Sequence, residues 1–388
     1  MRFTIEIIFI LEGITMQKDF HYDVIYVLAS WAGFSLEDAN TLAYASQYVD
    51  DANNTGHLKF DTGASYTRTS SAHDVFDIYH NADNVENHNV WLPFHFLPGN
   101  CGYAQGKVED KSFIERIICT SDSFVARDMV KESIRCGDKP YGLHRFGISL
   151  HTYADTWAHR GFAGVIDGIN KVKSIFWRND SNQLVPVDLM QQMKNRVIDL
   201  LPVGHGSAIC NPDLPYLKEW QFSFIEDLGR GIQTYNNTQY FLLAAENIIK
   251  AMRLFIACRK SPVPLAGDLS ALYDGYPGLT EKQQNTLESL FVDIRDKDGD
   301  KRHDEWGRRA ITGEIAGVSS IPSYQAKGEG SWKHKALGTA LEIDDPGQLF
   351  TYTPAFITSD WKKFHDGLQV QRQYILLELL PAYGICIS

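Results

Sequence analysis

The stretch from Pro140 to Phe162 constrains this chain more than any other. Pro140 suits a first helical turn, and Gly161 and Gly164 suit its end. An α-helix advances about 100° per residue. Counted from His144, the offsets to His151, Asp155 and His159 are seven, eleven and fifteen. Those offsets bring the other three side chains to within roughly 60° of His144. One stripe therefore carries three imidazoles and a carboxylate. His151 and Asp155, like Asp155 and His159, are four residues apart, a spacing that lets two side chains reach one ion. The alternative is a solvated polar stripe. Phe146, Ile148, Leu150, Tyr153, Trp157 and Phe162 argue against it, because they make the rest of the helix apolar. A buried His/Asp stripe needs partners, and a cation satisfies several at once.

The rest of the chain reads as mainly α, a multi-helix core with small β-hairpin excursions. Helices are predicted over 20–32, from Ser35 to about Asp51, and over about 112–135, 188–200, 216–232, 236–258, 281–294 and 358–380. Gly33 ends the first, and Ser35 with Asp38 resembles a capping box for the second. A short hairpin is expected within 55–80 around LKF and SYTRT, and a strand–turn–strand over 173–187. Residues 90–99 and 296–335 read as loops. Residues 1–15 read as an N-terminal extension before Met16, residues 16–260 as a metal-binding helical core, and residues 261–388 as a helical extension packed on it. A single domain is the alternative.

Composition narrows the function classes. A net charge of −11 does not attract nucleic acid or anionic membrane through the overall field, so no stable nucleic-acid binding is expected. A cation cluster reverses the sign locally and leaves a phosphate substrate open. The six cysteines show neither C-x-x-C pairs nor zinc-finger spacing, so no disulfide framework is expected and any metal falls to His and carboxylates. No apolar run reaches transmembrane length, and Glu6 and Glu12 interrupt the N-terminal one. The expected location is cytoplasmic, or exported without a clear cleavable signal.

Further donors lie elsewhere. His21 follows Asp19 at the head of the first helix, Asp50 and Asp51 end the second, and His95 sits in PFHFLPG. His205 sits in VGHGSAICNPD with Asp213 close behind. Together these supply ligands for two or three ions. Zinc, manganese or iron suit such mixed nitrogen and oxygen sets. Metals held this way activate water and clamp phosphoryl oxygens.

In chain order these donors read His21, Asp50 or Asp51, His95, His151-x-x-x-Asp155, His159, His205. That order resembles the zinc-dependent phospholipase C and single-strand-specific zinc nuclease superfamily, over about residues 16–215. The pieces DFHY, AYASQYVDDA and HTYADTWAH also resemble an uncharacterised bacterial family. The superfamily resemblance implies an all-α phospholipase C-like core holding one to three zinc ions. It implies a metal-dependent hydrolase of phosphodiester bonds, with a lipid headgroup among the candidate substrates. His21, Asp51, His95, His151, Asp155, His159 and His205 would be ligands, and Asp50 or Asp51 the catalytic carboxylate. Asp19, His144, Tyr153 and Asp213 would support the ligands or face the substrate. The chain departs from the superfamily in two ways: no Trp precedes His21, and no late H-x-x-x-E pair follows His205.

Two other functional classes compete. One is a non-catalytic helical binding or structural protein with a structural metal. The other is an HD-type phosphohydrolase, suggested by His73-Asp74, His303-Asp304 and His365-Asp366. The acidic run Asp296–Asp300 has calcium-loop spacing but places Ile294 where the first Asp is needed, so it reads as a tight turn.

Overall fold

In the computed structural model the described residues are 18–387, except 74–83, 108–109, 180, 188–203, 209, 262–264, 266, 268, 274 and 346. The expected N-terminal extension and the helix expected at 188–200 lie outside them. The architecture is mainly helical with two small sheets among the described residues.

A π-helical turn, Asp19–Val24, runs directly into α1, Ile25–Ala32. Gly33 closes α1 at φ 100°, a left-handed geometry that glycine adopts without a Cβ clash. Ser35 then caps α2, Leu36–Asp51, by accepting from the Asp38 backbone N–H. The hairpin expected within 55–80 is β1, His57–Phe60, with β2, Ser65–Thr67. Next come α3, Asn84–Phe94, α4, Phe113–Ile117, α5, Phe124–Arg135, and α6, Gly142–Ala158. The strand–turn–strand follows as β3, Val172–Arg178, and β4, Leu184–Pro186. Then come β5, Trp220–Phe224, β6, Ile232–Tyr235, α7, Asn237–Lys260, α8, Leu269–Tyr273, α9, Glu281–Asp293, and α10, Gly299–Ile311. The remainder is α11, Trp332–Leu337, β7, Leu349–Phe350, α12, Pro354–Thr358, and α13, Asp360–Tyr374. A π-helical turn, Ile375–Leu379, and α14, Leu380–Ala382, follow.

Four expectations need correction. Residues 216–232 are not a helix. Trp220, Phe222 and Phe224 alternate into one face of β5, the two-residue period of a strand. The span 112–135 is two helices: the first ends at Ile117, where Ile118 turns extended, and Ser123 caps the second. Cys119 pairs there with Pro98 and with Phe162 instead. Residues 90–94 belong to α3, and the irregular segment starts only at His95. Within 296–335, α10 and α11 are helical. The charge of α10 hides an apolar edge, with Arg302, Trp306 and Ala310 buried at four-residue spacing. The acidic run before it is a cap: the Asp298 carboxylate accepts from the backbone of Asp300 and Lys301.

One sheet has strand order β2-β1-β7, with β7 parallel to β1. The other is antiparallel, in order β4-β3-β5-β6. Its inner face packs with Phe96 and Phe162 in a second apolar cluster. The main cluster runs from Phe20 to Ile385 and crosses the boundary expected at residue 260. No disulfide forms among the described residues. None of their helices is long and apolar enough to cross a membrane.

The fold is organised around α6. Its residues are all buried except Leu143, and α2, α3, α5, α7 and α13 pack around it. The closest approach is at Gly147, where an added Cβ would stand 2.8 Å from both the Ala45 Cβ and the Leu42 carbonyl oxygen. Backbone on the α2 side cannot yield cheaply. Gly147→Val is therefore expected to destabilise the protein by about 1–3 kcal/mol through overpacking, with the loss read in urea denaturation. An unchanged midpoint would contradict this account of the α2–α6 contact.

Candidate metal centre

Most of the candidate donors sit where regular backbone begins, ends or widens. His151 and Asp155 stand one turn apart on α6, and His159 is its C-terminal cap. His21 lies in the π-helical turn, a geometry frequent at functional sites. Asp50 lies in the last turn of α2, and His95 follows α3 directly. His205 and Asp213 come from the 204–214 segment with its two short 3-10 turns. All eight side chains are buried.

The eight fall into three groups, the first two sharing His151: His21, His151 and Asp155; Asp50, His95 and His151; and His159, His205 and Asp213. Asp155 is the hub. Its Oδ1 lies 3.1 Å from His21 Nε2, and its Oδ2 lies 3.3 Å from both His95 Nδ1 and His151 Nε2. Asp50 Oδ1 faces His151 Nε2 at 3.7 Å and His95 Nδ1 at 3.8 Å. The Asp213 oxygens each lie 3.2 Å from a ring nitrogen, one on His159 and one on His205. The His21 and His151 rings stack at 3.8 Å, and Phe96 stacks on His159 at 4.5 Å. The second apolar cluster thereby walls the third group.

Two rings have their tautomers set by backbone carbonyls, which only accept. His95 Nε2 donates to the Ser71 carbonyl at 2.9 Å, and His159 Nδ1 donates to the His95 carbonyl at 2.8 Å. In the neutral rings, His95 Nδ1 and His159 Nε2 are then bare lone pairs. Each of those lone pairs faces a carboxylate oxygen. Acceptor against acceptor is repulsive unless a proton or a metal ion lies between. Asp50 Oδ1 also accepts no hydrogen bond although it is buried. Ring nitrogens oriented by carbonyls and aimed at carboxylates suit a cation such as zinc. The donor set therefore fits a metal.

The charge balance has the same origin. Burial opposes the charged form of Asp155, yet the imidazoles of His159 and His151 hold its carboxyl well below the usual range. Burial pushes His21 and His95 down and His151 down to about 4, so these rings favour the neutral, ligating form. Burial also acts against protonated His159, but Asp155 and Asp213 raise it to about 9. Burial and the neighbouring Asp155 push Asp50 well above the usual carboxylate range.

The other sequence candidates lie outside the three groups. Asp51, expected as a ligand, turns away from the imidazoles: its Oδ2 accepts from Tyr324 at 2.6 Å and from Gln47 at 3.3 Å. Asp50, one residue earlier on α2, faces the imidazoles instead. Asp19 pairs with Arg302. His144 pairs with Asp360 on α13, 3.0 Å away. Tyr153 donates to Asp122 on the opposite side of α6. His303 pairs with Asp23, and His365 bonds the Thr69 carbonyl, so neither His-Asp dipeptide joins the donor groups; Asp74 lies outside the described residues. Asp213, expected as a supporting residue, stands among the donors. Ser71 and Gln47 also support the site, although neither stood out in the sequence. Ser71 acts through its backbone and leaves no sequence signal. Gln47 stands three residues before Asp50, a spacing that could have identified it.

A model of a family of unknown function (DUF6765) matches residues 16–379, and the chain belongs to that family. No curated protein and no solved structure matches it.

Protons and metal compete for the same places in this cluster. A metal must displace the proton that His159 holds up to about pH 9, and the one that burial favours on Asp50. Zinc affinity is therefore expected to rise with pH between 6 and 8, roughly tenfold per unit for each proton displaced. Calorimetry in buffers of different ionisation enthalpy should show proton release on binding. Affinity independent of pH would refute this reading.

Proposed function

We propose that this family member is a metal-dependent hydrolase of phosphodiester bonds, similar in its donor order to zinc-dependent phospholipase C. Zinc is the metal favoured by the mixed imidazole and carboxylate set, with manganese and iron as alternatives. The observation that carries the reading is three buried His/Asp groups packed side by side, the first two directly on the Asp155 carboxylate and the third beside it, with His159 Nδ1 at 3.6 Å. Sites with two or more ions supply Lewis acidity toward water and toward phosphoryl oxygens when loaded.

The residues divide the work by environment. His21, His95, His151, Asp155, His159, His205 and Asp213 would hold the ions. Asp155 presents one oxygen to His21 and the other to His95 and His151, which suits a carboxylate shared between ions. Asp50 is the most exposed carboxylate of the set, at 9% against 0% for Asp155 and Asp213. With Oδ1 accepting no hydrogen bond, Asp50 is the best placed to take a proton from the attacking water. Local positive charge from bound ions would attract a phosphodiester, a lipid headgroup among the candidates, despite the acidic chain.

A second reading has its own support. Every donor is buried, as in closed structural sites, so the metal could serve the fold alone.

Metal analysis of the purified protein and turnover of bis(p-nitrophenyl) phosphate separate the readings. Bound transition metal, chelator-sensitive turnover and a loss of about 10²–10⁴-fold in kcat for Asp50→Asn are expected, with the fold retained. His151→Ala should remove turnover and lower the metal content. A protein without transition metal whose turnover ignores chelator would sink the proposal. Bound metal without turnover on phosphodiesters would favour the structural role.

A further inference from the structure

Three acidic residues neighbour the N-terminal donors without facing them. Asp19 and Asp23 stand two residues to either side of His21, and Asp51 follows Asp50. Each is held by a residue from far along the chain. Arg302 Nε lies 3.2 Å from Asp19 Oδ2, and its Nη2 lies 3.4 Å from Oδ1. Next to it on α10, His303 Nδ1 lies 2.7 Å from Asp23 Oδ1. Tyr324, between α10 and α11, donates to Asp51 Oδ2 at 2.6 Å. Gln47 Nε2 then spans the pair of carboxylates, 3.3 Å from Asp51 Oδ2 and 3.4 Å from Asp50 Oδ2.

A π-helical turn is rare and occurs mostly as a single turn, frequently at functional sites, and here residues from α10 hold both of its flanking carboxylates. Asp19 and Asp23 lie about one turn apart, and His21 between them points to the other side. Arg302 and His303 grip the back of the turn while His21 faces Asp155. Likewise Gln47 occupies Asp50 Oδ2 and leaves Oδ1 toward His95 and His151.

We infer that Arg302, His303 and Tyr324 are positioning residues, through which the C-terminal part of the chain sets the aim of His21 and Asp50. The inference rests on the metal reading above. A partner bonded directly to a metal ligand typically changes metal affinity by about 10–100-fold when lost, and these three stand at least one contact further out.

The test uses the full-length protein with zinc or cobalt(II) alone as the probe. Zinc affinity is measured by competition with a chromophoric chelator, and cobalt coordination by its visible absorption spectrum. Tyr324→Phe removes one hydroxyl, and His303→Asn one ring. Tyr66→Phe is the matched control, since its hydroxyl also donates to a carboxylate, that of Asp366 on α13, 2.9 Å away. Tyr324→Phe and His303→Asn are expected to weaken zinc binding by about two- to fivefold, below the loss for a direct partner of a ligand, and to alter the cobalt spectrum. Tyr66→Phe should change neither, although its melting temperature should fall comparably. Wild-type affinity and an unchanged cobalt spectrum in both variants would overturn the inference while leaving the metal reading intact. A wild-type protein that takes up neither ion would overturn both.

Discussion

A carboxylate buried in the middle of this protein is the constraint on which the rest turns. Asp155 has no solvent exposure, and an isolated ionised carboxylate is too costly to bury. Three imidazole nitrogens lie within 3.3 Å of it, and His159 Nδ1 stands at 3.6 Å. Those rings come from the π-helical turn, the end of α3 and α6 itself. Gathering these rings around one carboxylate, with a proton or cation between, ties together segments separated by up to 134 residues.

The helix that carries Asp155 can be central only because its neighbours come very close. Gly147 lets α2 approach at the level of Ala45, and Gly367 on α13 packs beside the Arg145 backbone and Ile148. The result is a rigid strut with donors on one side and ordinary packing on the other. The donors supplied by other elements sit at a helix end or at irregular backbone, outside the close helix–helix packing of α6. Such segments need holding. The second apolar cluster walls the third group through Phe96 and Phe162, while α10 and Tyr324 grip the neighbours of His21 and Asp50.

Much of the site could be read from residue types and spacing. The stripe of His151, Asp155 and His159 follows from helical periodicity, because apolar neighbours on every side meant that the stripe would be buried. His21, His95 and His205 were recognisable as donors in chain order. The choice between Asp50 and Asp51 was not, since adjacent helical residues differ by about 100° and only the docking of α2 decides which one faces the cluster. Asp213 was ambiguous for a similar reason: its role depends on how the 204–214 segment folds back on His159. Two of the misread elements share one cause. In β5 the alternating aromatics lay within a longer charged segment, and in α10 the charge concealed Trp306 and Ala310.

The chain's own order of residues thus determined a mainly helical protein with a buried His/Asp stripe on its central helix, because local periodicity and burial of apolar neighbours act over a few turns. Tertiary structure alone decided which carboxylates join that stripe, which lone pairs face them, and that the C-terminal half grips the N-terminal donors from behind. Those are contacts between residues up to 283 positions apart, and no local rule of spacing reaches that far.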